Sequence, residues 1–439
     1  MIGEQLGTER TLGLWRSTAL VVGNMIGSGI FLLPAALAAY GGISILGWLF
    51  TSTGAMLLAL VFARLSRRVP KVGGLYVYTR LGFGDFAGFL VAWGYWISIW
   101  CGNAAIATAF VGYMGVFVPR LTENPLLGAA TAGGAIWLLS WVNARGVRDA
   151  GIVQLATTAL KLIPLIAVGL LGLLYFRPGN FIPFNASGLP VLVAISATAT
   201  LTLWAFLGLE SATIPAEDVV EPERTMPRAT ILGTAAAAVV YILGTVAVMG
   251  VIAPALLTDS TAPFADAARV MWGGWASYAV AAGAAISCFG ALNGWILLSG
   301  QIPLAVARDG LFPSPLARLS KRGTPVNGIV ISSVLATVLI SMNYTRGLVE
   351  QFTFIILLAT LTSLVPYVFC SAADFMLAAA ERGGALGRKW SAILIVPTLA
   401  FLYSLWAIGG SGRDTVYWGF LLLLAGIPVY VWNRWRLVE

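Results

Sequence analysis

Glu210 stands in Trp204-Ala205-Phe206-Leu207-Gly208-Leu209-Glu210-Ser211, an otherwise apolar stretch. An ionisable group at such a place in a membrane costs about 3 kcal/mol and is functional by default, as a gate or a proton acceptor; the alternative is a structural ion pair within a bundle. Lys161, in Leu160-Lys161-Leu162-Ile163-Pro164, is the one lysine inside an apolar run. It suits proton coupling, or a fixed charge where a cation would otherwise bind; it could also snorkel to the surface. Gly23-Asn24-Met25-Ile26-Gly27-Ser28-Gly29-Ile30-Phe31 places glycines around a serine. There a helix is weakened, and its second half, starting near Ser28, would present free N–H groups and a positive dipole end to an anion such as a carboxylate. Close helix contact through Gly23 and Gly27 explains the same residues equally well. Gly208 offers a second such break. Two interruptions at corresponding places in two halves point to a midplane substrate site. Trp295, after Asn293 and Gly294, could stack on a cation through its ring face. Tyr95 and Asn103 lie about 80° apart on one helical face, and Tyr367 follows Pro366; packing is the plainer account of all three.

Other chemistry is excluded by composition. The chain has no histidine, which removes Ser-His-Asp and Cys-His catalysis and His-ligated zinc. Cys101, Cys288 and Cys370 fall in apolar runs without metal-ligand spacing and read as buried free thiols. No nucleophile–base pair, dinucleotide fingerprint or ATP-binding loop is present. Neither a catalytic residue, a metal nor a cofactor is expected.

The elements that would hold these residues are transmembrane helices. Of 439 residues, 59% are hydrophobic and 10% charged, and the mean hydropathy is +0.88; a soluble domain is nearer a quarter charged. Twelve apolar runs of spanning length recur, over 14–39, 43–63, 86–118, 126–143, 152–176, 191–214, 229–253, 274–305, 327–342, 352–373, 391–409 and 416–433. The long third and eighth runs are expected to tilt or end in short helices. The polar start leads straight into the first run and reads as a membrane helix, not a cleaved signal.

Charge sets the orientation. Alternate connections carry Arg64, Arg67, Arg68, Lys71 and Arg80, then Arg145 and Arg148, Arg224 and Arg228, Arg308, Arg318, Lys321 and Arg322, and Arg382, Arg388 and Lys389; Arg10, Arg16, Arg434 and Arg436 flank the termini. The opposite side has only Arg120, Arg177, Arg269, Arg346 and Arg413. Twenty against five places both termini in the cytoplasm. The net charge of +8 is thus topological, and nucleic acid is not a partner.

At these residues the sequence resembles the amino acid/polyamine/organocation transporter superfamily, and within it the bacterial arginine/agmatine antiporters. The likeness runs through Gly23 to Gly29, Trp204 to Ser211, Pro263-Phe264 with Asp266 to Arg269, Asp309 to Pro313, Gly323-Thr324-Pro325, Leu364 to Tyr367 and Ala400 to Tyr403. It implies an all-α integral membrane protein of about twelve helices in one transporter domain, 1–439. Inverted repeats of five helices would fill about 12–176 and 190–375, with helices one and six unwound and two further helices over about 390–433. Asn24, Met25, Ser28, Gly29, Asn103, Trp204, Leu207, Trp295 and Ala359 would line the substrate site. Backbone at Ser28 and Gly29 would take a carboxylate, and carbonyls at Met25, Trp204 and Leu207 an α-amino group. Asn103 and Trp295 would meet the distal cation, and Trp204 would cover the substrate. Tyr95, Glu210 and Tyr367 would form the cytoplasm-side gate, and Lys161 with Glu210 would couple transport. Two departures bear on specificity. Ala359 stands where that branch has a serine, and Lys161 resembles the sodium-independent, proton-coupled carriers, where a lysine takes the place of sodium.

The expected function is sodium-independent exchange or proton-coupled transport in a cell (inner) membrane. Cationic amino acids and their amines, of the arginine/agmatine kind, come first. A proton-coupled carrier of small neutral amino acids is the alternative, and a polyamine exchanger comes third, since Glu210 is the only obvious midplane carboxylate for a dication. A membrane-embedded enzyme or a channel fits poorly. The partners are a small amino acid or amine and the lipid bilayer, with a homodimer left open.

Overall fold

The computed structural model describes residues 12–69, 73–146, 162–210, 219–380 and 390–438. Apolar runs this long have no water to take up backbone polar groups, so each closes its own hydrogen bonds as helix. In order these are α1 (Leu14–Met25), α2 (Ser28–Ala38), α3 (Ser44–Arg68), α4 (Leu75–Phe83), α5 (Asp85–Met114), α6 (Pro125–Ala144), α7 (Leu162–Tyr175) and α8 (Val191–Leu203). Next come α9 (Pro222–Val251), α10 (Pro263–Trp272), α11 (Gly274–Arg308), α12 (Val326–Asn343), α13 (Leu348–Ala380), α14 (Trp390–Gly410), α15 (Arg413–Leu424) and α16 (Gly426–Val438). Among the described residues the one extended pairing is an isolated bridge between Leu12 and Val219.

Eight of the described helices are long and apolar enough to cross a membrane, or nine if α1 and α2, bent by 40° at their break, are one span. Three shorter apolar helices, Leu162–Tyr175, Val191–Phe206 and Leu394–Gly410, occupy the fifth, sixth and eleventh apolar runs. In the third run α5 ends at Met114 and gives way to a turn and the short helix Arg120–Glu123, whereas the eighth is one continuous 35-residue helix.

The centre of the bundle is α5, whose residues are buried along nearly its whole length, whereas α15 and α16 are mostly exposed on the outside. It packs on α11 and α13, while α3 packs on α8 and α9. Outward faces are apolar, with Leu49, Leu138, Trp141, Leu399 and Leu402 exposed; in water such a surface would be a liability, and a lipid environment removes the cost.

One device occurs twice. The short helix α4 ends on Gly84 (φ 82°, ψ −175°), from which α5 starts, and α10 ends on Gly273 (φ 89°, ψ −175°), from which α11 starts. That conformation is essentially closed to residues with a Cβ. At both places glycine joins a short helix to a long one.

The basic end is stitched by ion pairs. Buried Asp374 of α13 meets Arg68 and Arg64 of α3. Arg80 of α4 bonds Asp85 at 2.7 Å and lies 3.2 Å from Asp309, and Asp85 also takes Arg434 of α16. Tyr76 donates to Asp309 at 2.8 Å. Burial, and then the Asp309 carboxylate, push the Tyr76 hydroxyl well above its ordinary range, so it stays a donor.

Candidate functional site

The first helix breaks where its glycines stand. α1 stops at Met25, Ile26 leaves helical geometry (φ −78°, ψ 85°), and α2 begins at Ser28 after Gly27 (φ −123°, ψ −131°) with no side chain capping it. The first-turn N–H groups of α2 therefore lack helical acceptors. The Ser28 hydroxyl is 1% exposed and has no hydrogen-bond partner. Around the break, a Cβ on Gly27 would stand 3.1 Å from Ala291 of α11, and one on Gly29 would meet Ala205 at 3.0 Å and Trp204 at 3.2 Å. The two interrupted segments thus touch.

The second interruption starts earlier than Gly208. α8 tightens into a 3-10 turn over Trp204–Phe206, Leu207 is extended, and Gly208 takes φ +101°. The carbonyl of Ala205, freed by this turn, accepts from the Tyr241 hydroxyl at 2.9 Å. Behind it, Trp48, Phe206 and Tyr241 pack edge to face or tilted, with centroids 5.4–6.1 Å apart. A Cβ on Gly208 would lie 3.3 Å from the Trp295 ring and 3.4 Å from Asn24, while one on Gly294 would lie 3.8 Å from Asn24 Oδ1. Asn24, Gly208 and Trp295 hence converge between the breaks.

Trp204 packs its ring against α5. Its ring lies 3.2 Å from where a Gly102 Cβ would stand, so glycine at 102 makes room for the indole. Its Nε1 and the Oδ1 of neighbouring Asn103 are buried without partners. Buried polar atoms are ordinarily bonded, and two of the exceptions, the Ser28 hydroxyl and Trp204 Nε1, belong to the interrupted segments themselves.

Glu210 is 0% exposed. Tyr95 of α5 donates to its Oε1 at 2.6 Å, and Tyr367 of α13 donates to its Oε2 at 2.9 Å. Tyr367 also packs edge-on against Phe62 of α3 at 5.5 Å. One carboxylate therefore ties the interrupted segment to two long helices. The chain matches the amino acid permease family over residues 12–428. It belongs to that family. The permease is 32% identical to the putrescine transporter PotE of Haemophilus influenzae, over 95% of this chain and 96% of that protein. It is 31% identical to PotE of Escherichia coli strain K12, over 95% of each chain. With the cadaverine/lysine antiporter of Escherichia coli strain K12 it shares 34% identity over 83% of each chain. It is a multi-pass membrane transporter of the amino acid and polyamine class, not an enzyme.

Of the residues the sequence singles out, the fold of this permease brings together Asn24, Ser28, Gly29, Trp204 and Trp295; Asn103 is buried on α5, next in the chain to the Gly102 that meets the Trp204 ring. Tyr95, Glu210 and Tyr367 form a second constellation. Met25 and Leu207 are buried beside the breaks; the Met25 carbonyl accepts from Gly27 at 2.9 Å and that of Trp204 from Leu207 at 3.2 Å. Ala359 is fully buried on α13, its carbonyl accepting from Thr362. Lys161 lies outside the described residues. Gly102 and Tyr241 also shape the site, and neither carries a sequence signal: one lacks a side chain, and the other sits 36 residues from the carbonyl it satisfies. A cleft beside Thr108, Thr122, Tyr344, Arg346 and Gln351 holds none of the candidate residues.

Proposed function

We propose that this permease exchanges a diamine for a basic amino acid, one for one, at a single site between its two interrupted segments. The observation that carries the reading is the double character of that site. The uncapped start of α2 favours a carboxylate, whereas the unpartnered Asn103 Oδ1 and the rings of Trp204 and Trp295 favour a cation. A basic amino acid uses both ends, and its decarboxylated amine uses the cationic one. The named relatives, two putrescine transporters and a cadaverine/lysine antiporter, favour diamines over the arginine/agmatine pair.

In this reading twelve spans lie in the inner membrane as two inverted repeats, about 12–176 and 190–375, with two further helices at about 390–433. The basic end and both termini face the cytoplasm. The Tyr95–Glu210–Tyr367 constellation is the cytoplasm-side gate, Trp204 is the lid over the substrate, and Lys161 stands in for sodium.

Competition against radiolabelled putrescine uptake in proteoliposomes tests the substrate class. Putrescine, cadaverine and lysine should compete at similar concentrations, and small neutral amino acids should not. Competition confined to arginine and agmatine restores that pair, and competition by alanine or serine alone transfers the reading to a neutral amino acid carrier.

A further inference from the structure

Asn143 lies in the last turn of α6 and is 5% exposed. Its amide nitrogen has two hydrogens and donates to Leu139 O of its own helix at 2.9 Å and across the interface to Asn293 Oδ1 of α11 at 2.8 Å; the Asn293 carbonyl oxygen stands at 3.4 Å. A buried amide is costly unless bonded, so its donors select one register between α6 and α11.

That register sets the placement of Trp295, two residues beyond Asn293 on α11. Two residues along a helix is about 200° around its axis and about 3 Å along it. Asn293 faces α6, so Trp295 faces the opposite way, toward Gly208 and the second break. Gly294, between them, lies against Asn24 of the first break. The Asn143 bond therefore holds α11 from behind while its other side presents the indole. α6 is itself braced: Ser140 bonds Ser333 of α12 at 2.7 Å, and Thr324 donates to the Ala144 carbonyl at 3.0 Å.

We propose that Asn143 is a positioning residue for substrate recognition, fixing through Asn293 the rotation and height at which Trp295 meets the cationic end of the substrate. The inference rests on the assignment of Trp295 as a substrate contact.

The test is a double-mutant cycle of Asn143→Leu, which keeps a similar volume without donors, with Trp295→Ala. Apparent affinity and maximal rate for radiolabelled putrescine are read in proteoliposomes. Asn143→Leu should weaken affinity by about fivefold and change the maximal rate by less than about twofold, and it should add nothing once Trp295 is alanine. The same factor in both backgrounds would mean a general structural role and overturns the inference. Should Trp295→Ala alone leave affinity unchanged, the substrate assignment falls, and this inference with it. Asn293→Ala removes the acceptor from a half-buried position and runs the same cycle if Asn143→Leu does not fold.

Discussion

Glu210 holds two phenol donors, so removing either leaves a buried carboxylate with one bond fewer. Hydrogen bonds to charged groups contribute about 1.5–3 kcal/mol, and Tyr95→Phe should shift the resting equilibrium toward opening at the basic end by about tenfold or more. Cys370, buried on the Tyr367 side of α13 and bonded to the Leu75 carbonyl, reports it. In a Cys101→Ala, Cys288→Ala background a thiol reagent should modify Cys370 faster in Tyr95→Phe than in the parent; equal rates would remove Tyr95 from the gate. Glu210→Gln keeps the shape but not the charge and should lose most exchange. If Trp295 meets the cationic end of the substrate as proposed, Trp295→Ala forfeits a desolvated cation–π contact of about 2 kcal/mol, or roughly thirtyfold in affinity. Competition binding measures it, and unchanged affinity for every substrate would place the pocket elsewhere. The types of these residues were legible in the sequence, because a lone carboxylate in an apolar helix has few uses. Their grouping was not legible from the residues themselves and came only from the family resemblance: Tyr95 and Tyr367 stand 115 and 157 residues from Glu210 in the chain, and packing joins them.

The broken segments were legible as glycine placements, and the structure moves the start of the second. The first break falls at Ile26–Gly27, as its flanking glycines suggest. The second begins at Trp204, four residues before the glycine that marks it, because Tyr241 of α9 takes the Ala205 carbonyl and supports a tighter turn. No local signal announces a distant hydroxyl. Gly208 is the more exacting of the two sites, since a Cβ at φ +101° would be strained by about 1–3 kcal/mol and would also press on Trp295 and Asn24. Gly208→Ala should lower thermal stability and reduce putrescine affinity more than Gly294→Ala, whose Cβ would meet Asn24 at an ordinary 3.8 Å. Equal effects in paired melting and uptake assays would show that the break does not shape the pocket. The last apolar run is divided at Ala425 into α15 and α16, and α16 reaches back to the basic end through Arg434 and Asn433.

Across the whole molecule, hydropathy and basic residues carry the topology. Cysteines placed at Arg346 or Arg413 should label from outside intact cells and one at Lys321 should not; the reverse pattern would invert the gates. If Lys161 stands where sodium would bind, replacing sodium with choline should leave uptake unchanged. Exchange at one site has a charge signature. A diamine carries two positive charges and a basic amino acid one, so each one-for-one cycle moves one net charge, worth about 2.3 kcal/mol per 100 mV. The decisive measurement is radiolabelled putrescine uptake into proteoliposomes preloaded with lysine or left empty, with the potential set by a potassium gradient and valinomycin. One-for-one exchange predicts uptake only into lysine-loaded vesicles, accelerated by an inside-negative potential. Equal uptake into empty vesicles, or uptake driven by a proton gradient alone, would contradict it.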